Sequence, residues 1–267
     1  MSATKMPATD APLDEGLELT LPGRVNPPGA GWEWIASGWG LFTRAPLMWI
    51  GSIVIVFIIA IVISIIPLIG SLIFQLLQGV FIGGFMVACR ALEKGGDFEL
   101  EHLFAGFTRR LVPLLVVDLL FLAGSIVILL ICAVPVGFSI LSAVMAGDSD
   151  AALGAVMASA GLLMLSGLVA LGLLVPLMAA YWFAPTLVML HDMKPLAAMK
   201  ASFFACFRNF VPFLVYGLVM FVGMILAVLP MGLGLIVWIP VAIASTYVAY
   251  RMIFTDEVFQ APGRSAA

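Results

Sequence analysis

Residues 46–89 read PLMWIGSIVIVFIIAIVISIIPLIGSLIFQLLQGVFIGGFMVAC, without one Asp, Glu, Lys or Arg. A bilayer-spanning helix needs about 20 apolar residues, so this stretch holds two spans. Pro67 and Gly70 fall between them, where residues that end helices are wanted. Three further charge-free tracts cover 119–147, 151–190 and 209–250. Three of the four tracts approach twice a span length and predict helical hairpins with short turns at the far side. Pro135 with Gly137, and Pro230 with Gly232 and Gly234, supply the other turns. The reading is an all-α membrane protein with six transmembrane helices, at about 46–66, 71–91, 111–134, 167–190, 211–229 and 235–254. The link across 148–166 admits two readings, a short helix on the outer surface or an extension of the fourth span.

Composition leaves little else open. The 267 residues are 63% hydrophobic and 10% charged, with a mean hydropathy of +1.20. Soluble domains carry roughly 25% charged residues, and a chain this apolar could not cover a water-facing surface. A net charge of −3 offers no basic surface for nucleic acid. Residues 1–30 carry five prolines among acids, lack an apolar signal-peptide core, and read as a disordered cytoplasmic tail. Residues 258–267 form a second tail. Cys89, Cys132 and Cys206 stand apart in apolar sequence and read as packing thiols.

The basic residues set the orientation. All twelve lysines and arginines precede an odd-numbered span or follow an even-numbered one. The opposite loops contain none. By the positive-inside rule both ends of the chain lie in the cytoplasm.

The spans also repeat. Residues 79–95, 176–192 and 240–256 align without gaps. This brings together small residues Gly83, Ala180 and Ala244, arginines Arg90 and Arg251, and prolines Pro176 and Pro240. Before each odd-numbered span an aromatic and a basic residue lead to a proline, at Phe42-Thr43-Arg44-Ala45-Pro46, Phe107–Pro113 and Phe207–Pro212, a residue suited to a helix's first turn. Ahead of these lie helically spaced apolar residues: Trp32, Ile35, Trp39 and Phe42; Leu100, Leu103, Phe104 and Phe107; Leu196, Met199, Phe203 and Phe207. Each predicts an amphipathic helix lying in the headgroup region, with Trp32, Trp34, Trp39 and Trp49 in the aromatic belt. The domain, 31–257, then comprises three parallel hairpin repeats, 31–95, 96–193 and 194–257, each preceded by an interfacial helix.

The segments Gly31-Trp32-Glu33-Trp34-Ile35, Gly38-Trp39-Gly40-Leu41-Phe42 and Pro46-Leu47-Met48-Trp49-Ile50, with the closing Ser245-Thr246-Tyr247-Val248-Ala249-Tyr250-Arg251-Met252-Ile253-Phe254, resemble an uncharacterised family of proteobacterial inner-membrane proteins, known as conserved hypothetical membrane proteins. The resemblance covers about 29–254. It implies a Gram-negative inner membrane and transfers no catalytic residue.

Polar residues within the spans are the candidate sites. Asp118 reads either as a structural anchor near a helix N-terminus, with Arg109 or Arg110 as counter-charge, or as an ion or substrate group. It lies five residues past Pro113, about 7–8 Å along a helix. Gln75 and Gln78 read as hydrogen bonds across a helix interface or as a polar path. Gly79 and Gly83 form a small-xxx-small motif for helix packing, and Ala180 and Ala244 are packing positions in the other repeats. His102 and His191 are pH-sensitive candidates. Arg90 and Arg251 are expected to snorkel to lipid phosphates. No nucleophile, phosphate-loop, metal-ligand or cofactor motif occurs. The expectation is therefore no enzyme and no cofactor, but an inner-membrane protein of structural or interaction (envelope or membrane-organising) role. Its partners are membrane lipids and a protein or second copy within the membrane. The alternative is a transporter or channel for a small or apolar solute.

Overall fold

The structure, a computed structural model, describes residues 18–67, 69–146, 149–256 and 259. These residues are helical apart from loops and one isolated β-bridge, Leu19 to Thr255. Six helices are long and apolar enough to cross a membrane. The helices are α1 (Ala30–Arg44), α2 (Pro46–Ser64), α3 (Ile69–Glu93), α4 (Leu100–Leu103), α5 (Ala105–Arg109), α6 (Leu111–Ala146), α7 (Ser149–Trp182), α8 (Ala184–His191), α9 (Pro195–Arg208), α10 (Phe210–Val228) and α11 (Leu235–Phe254). They form two compact units. One runs to Asp118 and resumes at Ala180; the other is Leu119–Ala179.

In the larger unit the core is built from α3, α8 and α11. Every residue from Ala184 to Leu190 is buried, as is nearly all of α3 from Gly79 and α11 from Ala244 onward. By contrast α2 and α10 turn apolar side chains outward, with Leu47, Phe57, Val62, Leu218 and Phe221 exposed. Helix α1 lies against α10 and α11 through its small residues: a Cβ at Gly38 would come within 2.6 Å of the Ser245 nitrogen. The same device seats α4 on α3, where a Cβ at Gly84 would meet the Leu103 carbonyl oxygen at 2.2 Å.

Helices precede the first, third and fifth spans, namely α1, the short pair α4 and α5, and α9, but the apolar stripes expected on α1 and α9 divide. On α1, Ile35 and Phe42 are buried in protein while Trp32 and Trp39 are exposed. On α9, Met199 is buried while Leu196 and Phe207 are exposed. Glycine, alanine and serine beside the stripe form the docking face in each case, because they permit close backbone approach. Two of the four tryptophans expected in an aromatic belt are core residues. Trp34 and Trp49 are fully buried; Trp49 stacks on Phe85 at 5.6 Å and meets Phe98 edge-on at 5.0 Å.

In the smaller unit the turn expected at Pro135 and Gly137 does not occur. Helix α6 continues through Pro135 to Ala146. A proline within an apolar helix is tolerated when local adjustment satisfies the freed carbonyl. Residues 151–160 belong to α7, the extension reading of the two; Gly147 and Asp148 lie outside the described residues. Leu177 packs over Gly124, and the Cys132 thiol reaches the Ser166 carbonyl at 3.4 Å.

Of the expected N-terminal tail, 1–17 lie outside the described residues. The rest is bound to the protein. A helix leaves its last four carbonyls without intrahelical partners. At the end of α11, Thr255 N–H and Oγ1 donate to the Arg251 carbonyl at 3.2 and 2.6 Å. Asn26 Nδ2 donates to Met252 O at 3.5 Å, Arg24 N–H to Ile253 O at 2.7 Å and Thr20 N–H to Phe254 O at 2.8 Å. The segment 18–26 is thus a strap that caps the final helix. Asn209, at the elbow between α9 and α10, ties it down: its Oδ1 accepts Asn26 N–H at 2.8 Å and its Nδ2 donates to Arg24 O at 2.9 Å. The high proline and acid content read as disorder concealed these long-range bonds. The expected second tail, 258–267, lies outside the described residues except Phe259.

Candidate functional site

Two polar junctions occupy the core. The first joins α3, α6 and the end of α7. Asp118 is fully buried. Gly79 N–H donates to its Oδ1 at 3.2 Å and Oδ2 at 3.0 Å, and Tyr181 Oη donates to Oδ1 at 2.6 Å. A Cβ at position 79 would lie 2.7 Å from either carboxylate oxygen. The glycine is therefore what admits the acid. Gly83, one turn on, takes the Leu114 and Met189 side chains, so the small-residue face of α3 receives both α6 and α8.

Of the two counter-charges expected for Asp118, Arg110 is engaged elsewhere, pairing with Asp192 at 2.5 Å. Gln75 and Gln78 do not join this junction. Gln75 Nε2 donates to Gln78 Oε1 at 3.3 Å within the same helix, on its exposed side. The i, i+3 spacing makes them neighbours on one face, so they bond each other rather than bridging helices. Of the remaining packing positions, Ala244 is fully buried and Ala180 half-buried.

The second junction was missed by sequence reading. Arg90 and Arg251 do not snorkel outward; they are 7% and 2% exposed. Both turn onto Glu93. Arg90 Nη1 donates to Glu93 Oε2 at 2.9 Å, and Arg251 Nε and Nη2 both donate to Oε1 at 2.8 Å. Tyr247 Oη also donates to Oε2, and Arg251 Nη1 donates to Thr255 Oγ1 at 2.7 Å. The arginines sit in the last turns of α3 and α11, where the helix dipole favours cations. Beside them His191 Nε2 and Tyr250 Oη are 2.5 Å apart, which brings α8 into contact with α11. A signal was available: Arg90 and Arg251 align in the repeat, and Glu93 follows Arg90 by one turn.

Tyrosine was the other overlooked signal. The chain has four, and each hydroxyl has a partner: Asp118 for Tyr181, Ser245 for Tyr216 at 2.9 Å, Glu93 for Tyr247 and His191 for Tyr250. A buried tyrosine hydroxyl needs such a bond, so tyrosines in apolar spans point to the polar junctions.

His102 Nδ1 accepts Glu99 N–H at 3.1 Å in a helix cap, and burial holds its imidazole below the ordinary value. Burial pushes the Cys206 thiol up to about 12. No group of three or more metal-ligating side chains occurs among the described residues.

Among known proteins, one described as "Probable inner membrane protein" in Burkholderia thailandensis is 31% identical over 234 residues, covering 82% of this chain and 86% of its own length. The chain belongs to that protein's family. This family of proteobacterial inner-membrane proteins matches the resemblance carried by the tryptophan-rich and closing segments. With six apolar helices, the family member described here is a multi-pass protein of the inner membrane. No protein-family model and no solved structure matches the chain.

Proposed function

We propose that this protein is a structural or interaction component of the inner membrane rather than an enzyme. In this reading it carries no cofactor and organises lipids or partner proteins around a rigid helical core. The observation that carries it is the closure of the core's two acids, Asp118 and Glu93, by protein donors. Asp118 is closed by Gly79 and Tyr181, and Glu93 is closed by two arginines and a tyrosine. A transport pathway needs polar groups that can exchange partners with a solute; these groups bond one another.

The six spans are arranged as three parallel hairpins, each introduced by an in-plane amphipathic helix, and both chain ends are cytoplasmic. Support comes from α3 and α11, whose apolar windows are 56% buried against 11% and 17% for α2 and α10. In the first and third hairpins the second span thus faces the core; in the middle one the windows are 22% and 0% buried. Support also comes from the loops: the basic residues cluster on one side.

Cysteine labelling in a cysteine-free background tests the arrangement. A cysteine at Gly95 should react from the cytoplasm and one at Ser149 from the periplasm; the reverse overturns the orientation. For the role, Asp118→Asn should retain the cellular phenotype of the wild type when protein levels match. Loss of that phenotype with the fold intact would instead favour transport of a small solute.

A further inference from the structure

The segment leading into and through α9 carries Lys194, Lys200 and Arg208 and no acid from residue 193 to 208. One face is buried, with Ala198, Met199, Ser202 and Ala205. Ser202 Oγ accepts Phe183 N–H at 2.9 Å, which fixes the helix's rotation. At 3.6 residues per turn, the opposite arc collects Leu196, Lys200, Phe204, Phe207 and Arg208. All five are exposed, Leu196 at 71%, Phe204 at 45% and Phe207 at 47%.

That mixture selects its surroundings. A water-facing arc gains nothing from three large apolar side chains, and an arc in hydrocarbon could not hold a lysine and an arginine cheaply. The headgroup layer accepts both, apolar groups reaching inward and cations toward phosphate. Charge then selects the lipid. Other basic residues are committed within the protein: Arg24 to Asp256, Arg90 and Arg251 to Glu93, Arg110 to Asp192, and Arg44 to the Leu92 carbonyl. Lys194, Lys200 and Arg208 form no ion pair among the described residues. On the α4–α5 segment, Glu99 and Glu101 offset the nearby cations; nothing on α9 does so.

We infer that the outer face of α9 is a docking surface for anionic phospholipid headgroups. The inference rests on the in-plane placement of α9 proposed above and adds the lipid class. The test uses the full chain in lipid nanodiscs of phosphatidylcholine, with and without phosphatidylglycerol. A fluorophore on an Ala197→Cys variant reads depth, through quenching by a headgroup-attached quencher. Mass spectrometry of the lipids retained on extraction reads preference. The probe should be quenched at headgroup depth. The retained ratio of phosphatidylglycerol to phosphatidylcholine should fall about fivefold for each cation removed among Lys194→Gln, Lys200→Gln and Arg208→Gln. It should weaken at high salt and stay unchanged in Lys94→Gln. A quenched probe with the same ratio in the triple variant overturns the lipid class alone. An unquenched probe overturns the in-plane placement and the inference with it. Cross-linking of Ala197→Cys between copies would assign the surface to a second copy and overturn the inference as well.

Discussion

Around Glu93 the side chains of Arg90, Tyr247 and Arg251 converge from α3 and α11, each bonded to a partner on another part of the fold or one turn away. Along residues 119–179 two serine hydroxyls behave differently. Ser125 bonds the Phe121 carbonyl and Ser142 that of Ser139, within their own helix. On α6 and α7, Leu129, Ile131, Phe138, Leu168 and Val175 are exposed. The polar groups of the one lie inside the protein, while the apolar side chains of the other lie on its outside. Where lipid is the solvent, a hydroxyl returns to its own backbone. Where protein is, polar groups join helices. The difference separates an architectural centre from a covering that can vary.

Substitutions can break or sharpen that contrast. The largest effect belongs to Glu93→Gln, which leaves two buried guanidinium groups without their carboxylate and should cost on the order of 3 kcal/mol. Thermal unfolding in detergent reads this, and an unchanged transition would show that the junction holds nothing together. Asp118→Ala comes next, at about 2 kcal/mol, since it strands the Gly79 N–H and the Tyr181 hydroxyl. Tyr181→Phe alone should cost about 0.6 kcal/mol, the usual size of an interhelical bond in a membrane. Combining the two should cost less than their sum, because they remove the same bond. At the bottom lies Leu168→Ala in the hairpin, below about 0.5 kcal/mol in the same assay. A loss comparable to that at Asp118 would mean that Leu168 packs on protein, and the contrast would collapse.

How legible this was from sequence follows from the same physics. Length and hydropathy place all six spans, and α11 begins and ends where the sequence predicts. Hydropathy is a property of each segment alone. Partner choice is not. Arg90 at a helix end reads as a snorkelling residue because its sequence neighbours are those of an interface; Glu93, one turn on, and Arg251, far along the chain, make it a core residue. Asp118 was visible as an anomaly, but its donors, a glycine backbone and Tyr181, become neighbours only on folding. Pro135 misled for a related reason. Proline predicts a turn where water is near, while a helix in an apolar setting is held by its remaining hydrogen bonds.

The strap over α11 bears on how the protein is made. Residues 20–26 leave the ribosome before any span, and the carbonyls they bond belong to the end of the sixth; the Asn26 to Met252 bond spans 226 residues. The segment 20–26 therefore waits for the end of α11. Until synthesis reaches residue 254 the strap has no seat, and every partly made chain keeps a free N-terminal arm. Closure of that arm marks a chain whose sixth span has been made.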